Sequence, residues 1–151
     1  MVAIKKLVYE EKKFTMGELI KALDANFEGY EVIEQLCKNA PKYGNDDPYV
    51  DQFAKELERF HTGYLASQQG SSDEIISTRF LPITMHIALG KMTGATPDGR
   101  KAGAPLSEGT GATHGCDTHG PTGLMASNAK SKTRGITIRQ ARLFNMKLSP
   151  G

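Results

Sequence analysis

"TGATPDGRKAGAPLSEG", Thr93 to Gly109, is the stretch on which the reading of this chain turns. Between Gly94 and Gly109 it sets four glycines and two prolines among two acidic and two basic residues, and no apolar repeat of helix or strand period runs through it. Nine of the chain's 16 glycines fall between Gly90 and Gly123, so the region reads as a long ordered loop. Loops of that length inside compact domains tend to be functional. Within it, Pro97 fixes φ, Asp98 is suited to accept backbone N–H bonds as an Asx-turn, and Gly99 accommodates positive φ. Arg100 carries five donors in a planar fork, which suits a carboxylate or several loop carbonyls. Ser107 and Glu108 follow. Glu108 carries a carboxyl suited to taking or giving a proton, or to bracing the loop.

N-terminal to this loop the chain reads as helices over residues 1–65. Ile4, Leu7 and Val8 make a short apolar stripe. Thr15 and Glu18 form a capping-box pattern, followed by Met16, Leu19, Ile20, Leu23 and Phe27 on one face, with Gly29 as the expected stop. A third helix is expected over Glu31–Lys38, and Asp47 with Pro48 is an N-cap and N1 pair for a fourth, carrying Val50, Phe53, Leu57 and Phe60. C-terminal to that layer, residues 75–151 are expected to supply strands around the loop. "TRFLPITMHIAL" (Thr78–Leu89) reads as strand or extended chain interrupted by Pro82. "PTGLMASNAK" reads as a short helix with Pro121 in its first turn. "GITIRQARLFNMKL" reads as a strand, with Ile136, Ile138, Phe144, Met146 and Leu148 on one parity. The expectation is an α/β arrangement of one segment, residues 1–151. Two strands make no stable sheet alone, so this segment reads as part of something larger.

Composition narrows the function classes. With 38% hydrophobic and 24% charged residues the chain is of soluble globular type, and a net charge of +2, with basic residues scattered among acidic ones, gives no case for nucleic acid. No apolar run approaches the roughly 20 residues that span a bilayer, and the N-terminus lacks the pattern of a secretory signal. Two distant cysteines without an export signal point to the cytoplasm. Gly94 to Gly99 has P-loop spacing but lacks the following Lys-Ser/Thr, and no dinucleotide fingerprint follows a strand.

The core T-P-D-G-R-x-A-G-x-P, then "HGCDTHGPTG", "SNAK" and "LFNMKLSP" downstream, resembles the glycyl radical enzymes. This is the superfamily of pyruvate formate-lyase, with its dehydratases, lyases and decarboxylases. The helical stretch that opens the chain and "APKYGNDD" are similar to what precedes this core in the family, so the resemblance covers essentially all 151 residues. "PLSEG" and "GPT" look more like the dehydratase, lyase and decarboxylase branch.

The resemblance implies part of a ten-stranded β/α barrel, in an oxygen-sensitive cytoplasmic lyase that breaks a C–O, C–N or C–C bond of a small organic substrate. It implies a stored glycyl radical, installed by a partner activase that uses S-adenosylmethionine and an iron–sulfur cluster. It also implies the remainder of the parent enzyme as partner, and a possible homodimer of that parent. The R-V-x-G-Y/F-like radical loop and the G-C-x-E-like thiyl loop of the family do not occur in this sequence. No catalytic residue is therefore assigned, no cofactor is placed in this chain, and the isolated chain is expected to be inactive. Asp98, Arg100, Ser107, Glu108 and His114 stand as substrate-binding or loop-shaping candidates.

Three other readings stay open. His114, Cys116 and His119, with Asp117 beside them, are possible zinc ligands in an H-x-C-x-x-H spacing. The histidines instead fit loop residues with backbone partners, or a donor to substrate. A non-catalytic structural or interaction module is the remaining alternative. Cys37, near a helix end, reads as a small buried hydrophobe.

Overall fold

The computed structural model describes residues 1–68, 79–80, 84–130 and 141–142. The chain forms two compact units. The first combines Met1–Lys42 with Thr84–Leu106, the second Tyr43–Ile83 with Ser107–Gly151.

The first unit opens with a π-helix, Ile4–Glu10, which buries Leu7. Helix α1 (Met16–Asp24) begins at the expected capping box: Glu18 N–H donates to Thr15 Oγ1 and the Glu18 carboxylate accepts from Thr15 N–H. It stops before Gly29. Asn26 takes a left-handed conformation (φ 51°), Asn26 N–H reaches Leu23 O and Phe27 N–H reaches Ala22 O, the paired bonds of a Schellman ending. Asn is among the few residues other than glycine that tolerate that backbone.

Helix α2 (Glu31–Asn39) follows, one residue longer than the sequence indicates. Ala3, Leu7, Phe14, Leu19, Cys37 and Ala40 form the core between the π-helix, α1 and α2. At Cys37 the buried-hydrophobe reading holds: the side chain is 1% exposed and burial pushes the thiol pKa up.

Helix α3 (Pro48–Ser67) lies in the second unit and starts as expected, Asp47 accepting from Tyr49 N–H with Pro48 at the first helical position. It buries Val50, Asp51, Glu58 and Thr62, while Leu57 and Phe60 of its apolar stripe are 60% and 73% exposed. Strand β1 (Arg79–Phe80) pairs in parallel with β2 (Ala141–Arg142). Helix α5 (Gly120–Lys130) carries Pro121 in its first turn, as the sequence indicates.

One expectation needs correction. Thr78–Leu89 is not one extended segment: among its described residues Arg79–Phe80 is strand, while Met85–Met92 is helix α4, in the first unit. Beyond Pro82 the sequence "MHIALGKM" is dominated by helix-compatible Met, Ala, Leu and Lys, with Ile87 its one β-branched residue. At Gly90 a Cβ would lie 2.8 Å from Pro105 Cα, so only glycine lets α4 press against the loop. The described residues are mainly helical, with one two-residue parallel pair. The strand expected over "GITIRQARLFNMKL" lies outside the described residues except at Ala141–Arg142, so Ile136, Ile138, Phe144, Met146 and Leu148 are not placed.

Candidate functional site

The loop is built around Arg100. Thr96-Pro97-Asp98-Gly99 makes a tight turn closed by Gly99 N–H to Thr96 O at 3.0 Å, with Thr96 and Arg100 paired as an isolated antiparallel bridge. Asp98 Oδ1 accepts from Thr96 Oγ1 and from Arg100 N–H, the Asx-turn geometry. Gly99 has φ +88°, and a Cβ there would stand 3.0 Å from Lys38 N and 3.2 Å from Glu34 O. The turn therefore lies flat on α2 only because it carries no side chain at that point.

Arg100 is 9% exposed and bonds through all three guanidinium nitrogens. Nε donates to Thr96 Oγ1 (3.1 Å), Nη1 to Ala104 O (2.6 Å) and Lys101 O (3.2 Å), and Nη2 to Thr93 O (3.3 Å) and Gly94 O. Five N–H groups meet five acceptors, four of them main-chain carbonyls of the loop. The loop has no sheet or helix ladder to occupy its carbonyls, and the buried Arg100 fork supplies donors to four of them.

The helices of the same unit hold the loop from outside. Asn26 Oδ1 accepts from Ala102 N–H at 2.7 Å. Glu34, its side chain 9% exposed, meets Lys38 Nζ at 2.6 Å and Lys101 Nζ at 3.6 Å. The hydrogen bond from Lys38 holds the Glu34 carboxyl below its ordinary pKa, with partial opposition from burial and further help from Lys101.

Ser107, Glu108 and His114 belong to the second unit, apart in sequence assignment from Asp98 and Arg100. Ser107 Oγ lies 3.2 Å from Thr113 Oγ1, Glu108 is half-buried with its carbonyl accepting from Gly111 N–H at 2.8 Å, and His114 is exposed. His119 Nδ1 is 2.7 Å from Asn45 O. Among the described residues no three His, Cys, Asp or Glu side chains come together as a metal-holding group, so His114, Cys116 and His119 form no such centre. Cys37 and Cys116 are both thiols.

Sequence reasoning missed Asn45. Its Nδ2 donates to Cys116 O (2.7 Å), and its Oδ1 accepts from His119 N–H (3.0 Å) and Thr118 Oγ1 (3.2 Å). It also missed Lys130, whose Nζ lies 2.5 Å from Asp46 Oδ1 and 2.9 Å from Asp51 Oδ2, joining α5 to the start of α3. Hydrogen bonding to Asp46, then to Asp51, holds the Lys130 pKa above its ordinary value. "YGNDDP" gave one available signal, two polar residues more than its turn needs.

Comparison with known proteins converges on one family. The model of the family described as PFL-like, pyruvate formate lyase-like, matches residues 1–90. Isethionate sulfite-lyase of Bilophila wadsworthia is 47% identical over 150 residues, covering 99% of this chain and 18% of that protein. The crystal structure of hydroxyproline dehydratase from Clostridioides difficile, solved with trans-4-hydroxy-L-proline bound, superposes with a TM-score of 0.79 at 44% identity, over 85% of this chain and 16% of that one. A glycyl radical enzyme from Archaeoglobus fulgidus superposes with a TM-score of 0.76 at 30% identity, over 85% of this chain and 16% of that one. The chain thus spans under a fifth of the length of these relatives. Among the described residues no helix is long and apolar enough to cross a membrane. Loop sequence, family match and superposition agree: the chain belongs to the pyruvate formate lyase-like family, among the glycyl radical enzymes.

Proposed function

We propose that this chain is a wall-forming segment of a glycyl radical lyase that eliminates a group from a small organic substrate, as water or a comparable leaving group. The observation that carries the reading is the Arg100-centred loop. Arg100 occupies four of its carbonyls, and Asn26 and the His86 carbonyl accept from its Ala102 and Leu106 amides, so irregular, glycine-rich backbone is held in shape without a ladder. A radical enzyme needs such walls, because its intermediates must be kept from water and oxygen. The similarity to a sulfite-lyase over 99% of this chain and to a dehydratase over 85% of it supports elimination as the reaction class. In the parent the segment would pack into the family's β/α barrel.

Asp98 and Arg100 act in shaping the loop: with five acceptors already on its N–H groups, Arg100 has none left for a substrate carboxylate. Ser107, Glu108 and His114 are the candidates for substrate contact. Glu108 supplies a carboxyl able to protonate a departing hydroxyl. No glycine of the chain stands in an R-V-x-G-Y/F-like motif, so none of them fits the radical site. The radical belongs to the longer protein, with a separate S-adenosylmethionine-dependent activase as its partner, both in the cytoplasm.

The test is anaerobic activation of the longer polypeptide that carries this segment, followed by assay on isethionate, trans-4-hydroxy-L-proline and glycerol. The expected result is a glycyl radical signal with elimination from a hydroxylated substrate of this kind, and no turnover by residues 1–151 alone. Turnover by the 151-residue chain, or a radical-bearing protein without any elimination activity, would overturn the proposal.

A further inference from the structure

Asn45 and His119 form an arrangement that the loop-shaping role of Arg100 does not explain. The orientation of the Asn45 amide is fixed by chemistry: the His119 backbone N–H can only donate and the Cys116 carbonyl can only accept, so Oδ1 faces the first and Nδ2 the second. A third bond, from Thr118 Oγ1, lands on the same oxygen. One half-buried side chain therefore ties down three residues of a glycine-flanked stretch more than 70 positions away, at separations of 71, 73 and 74. Aspartate would lack the donor, and an aliphatic residue would lack both functions.

The same residue acts on the imidazole. His119 Nδ1 lies 2.7 Å from the main-chain carbonyl of Asn45, and a carbonyl only accepts, so Nδ1 carries the proton. In the neutral ring Nε2 is then the bare nitrogen. His119 is exposed, and among the described residues no group bonds to Nε2.

We propose that Asn45 is the positioning residue of the Cys116–His119 stretch and holds His119 as the Nδ1–H tautomer, so that Nε2 is presented as an acceptor for a hydroxyl or ammonium group of a small polar ligand. Its use on a substrate hydroxyl rests on the lyase reading, whereas the tautomer and the tethering do not.

The test is nitrogen-15 NMR of the 151-residue chain under conditions where the ring is neutral, with His119→Asn used to assign the ring signals. The expected result is a protonated-type Nδ1 and an unprotonated-type Nε2. Asn45→Ala keeps the backbone carbonyl that accepts from Nδ1 but removes the side-chain tether, so it should speed exchange of the His119 amide by about fivefold or more, as loss of one net hydrogen bond implies, while the ring stays predominantly Nδ1–H. Asn45→Asp keeps the acceptor for His119 and Thr118, so His119 amide protection should persist. It carries the test should the alanine variant not fold. A predominantly Nε2–H ring in the unaltered chain, an unchanged His119 amide exchange in Asn45→Ala, or lost protection in Asn45→Asp would each overturn the proposal. None of these readouts involves turnover, so a failed lyase assay leaves the result standing.

Discussion

The two units solve one problem, holding glycine-rich backbone still, by opposite means. In the first, the anchor is inside the loop: Arg100 gathers carbonyls within seven residues of itself, and the helices add contacts at Asn26 and Glu34. In the second, the anchors come from a remote turn: Asn45 holds Cys116–His119, and Asp46 N–H donates to Ser127 Oγ at 3.0 Å while the Asp46 carboxylate meets Lys130. An internal anchor moves with its loop and preserves local shape. A remote one fixes where the loop lies on its unit and makes loop order depend on the turn. Asn26 and Asp46, at φ 51° and 57°, show that each unit places a left-handed polar residue beside its anchoring point.

The sharpest way to break this contrast is Arg100→Ala. The Gly94 and Ala104 carbonyls lose the guanidinium, those of Thr93 and Lys101 keep one backbone N–H donor each, and a destabilisation of about 3 kcal/mol is expected in the melt of the 151-residue chain. Arg100→Lys should recover little, because one ammonium on a longer stem cannot reproduce a planar five-donor fork. A melt unchanged in both would mean that the loop stands without its internal anchor.

Gly99→Ala comes next, at about 2 kcal/mol, since a left-handed φ and a Cβ 3.0 Å from Lys38 N act together. Its effect should fall on the first unit, read as faster amide exchange in Thr93–Leu106 and not in Cys116–His119.

The smallest effect is a pH asymmetry. Glu34 has a depressed folded pKa, so its contribution is present above the ordinary carboxylate value and is lost as pH falls through the folded one. Lys130 has a raised folded pKa, so its contribution is present below the ordinary lysine value and is lost as pH rises through the folded one. Both lysines that pair with Glu34, and Lys130 itself, are substantially exposed, so solvent screening keeps the changes modest. Acid should loosen the Lys101–Glu34 tie first and alkali the Lys130 tie. Glu34→Gln should flatten only the acid limb of a stability-versus-pH curve.

Legibility in the sequence followed the reach of each interaction. Thr15 with Glu18, and Asp47 with Pro48, were readable because a cap and its partner lie within a turn. The Thr96–Arg100 turn was readable for the same reason, and Arg100's suitability for loop carbonyls follows from its donor geometry alone. Helix α4 was hidden by Pro82 and Ile87, which suggest extended chain, while the packing of Gly90 against Pro105 that favours the helix is tertiary. Asn45 was hidden because its partners are over 70 residues away. The spacing of His114, Cys116 and His119 suggested a metal, but the Asn45 main-chain carbonyl accounts for the His119 ring and the Asn45 side-chain amide for the Cys116 carbonyl. Leu57 and Phe60 formed a recognisable apolar stripe, yet no periodicity tells what covers it, and among the described residues they stay exposed.

Amide hydrogen exchange across Thr93–Leu106 tests the central claim, that Arg100 makes this glycine-rich stretch an ordered wall. In the unaltered 151-residue chain the amides of Thr96, Gly99, Ala102 and Gly103, each bonded within the unit, should exchange slowly, and all four should accelerate together in Arg100→Ala. Exchange at unstructured rates in the unaltered chain, or protection that survives loss of the guanidinium, would contradict it.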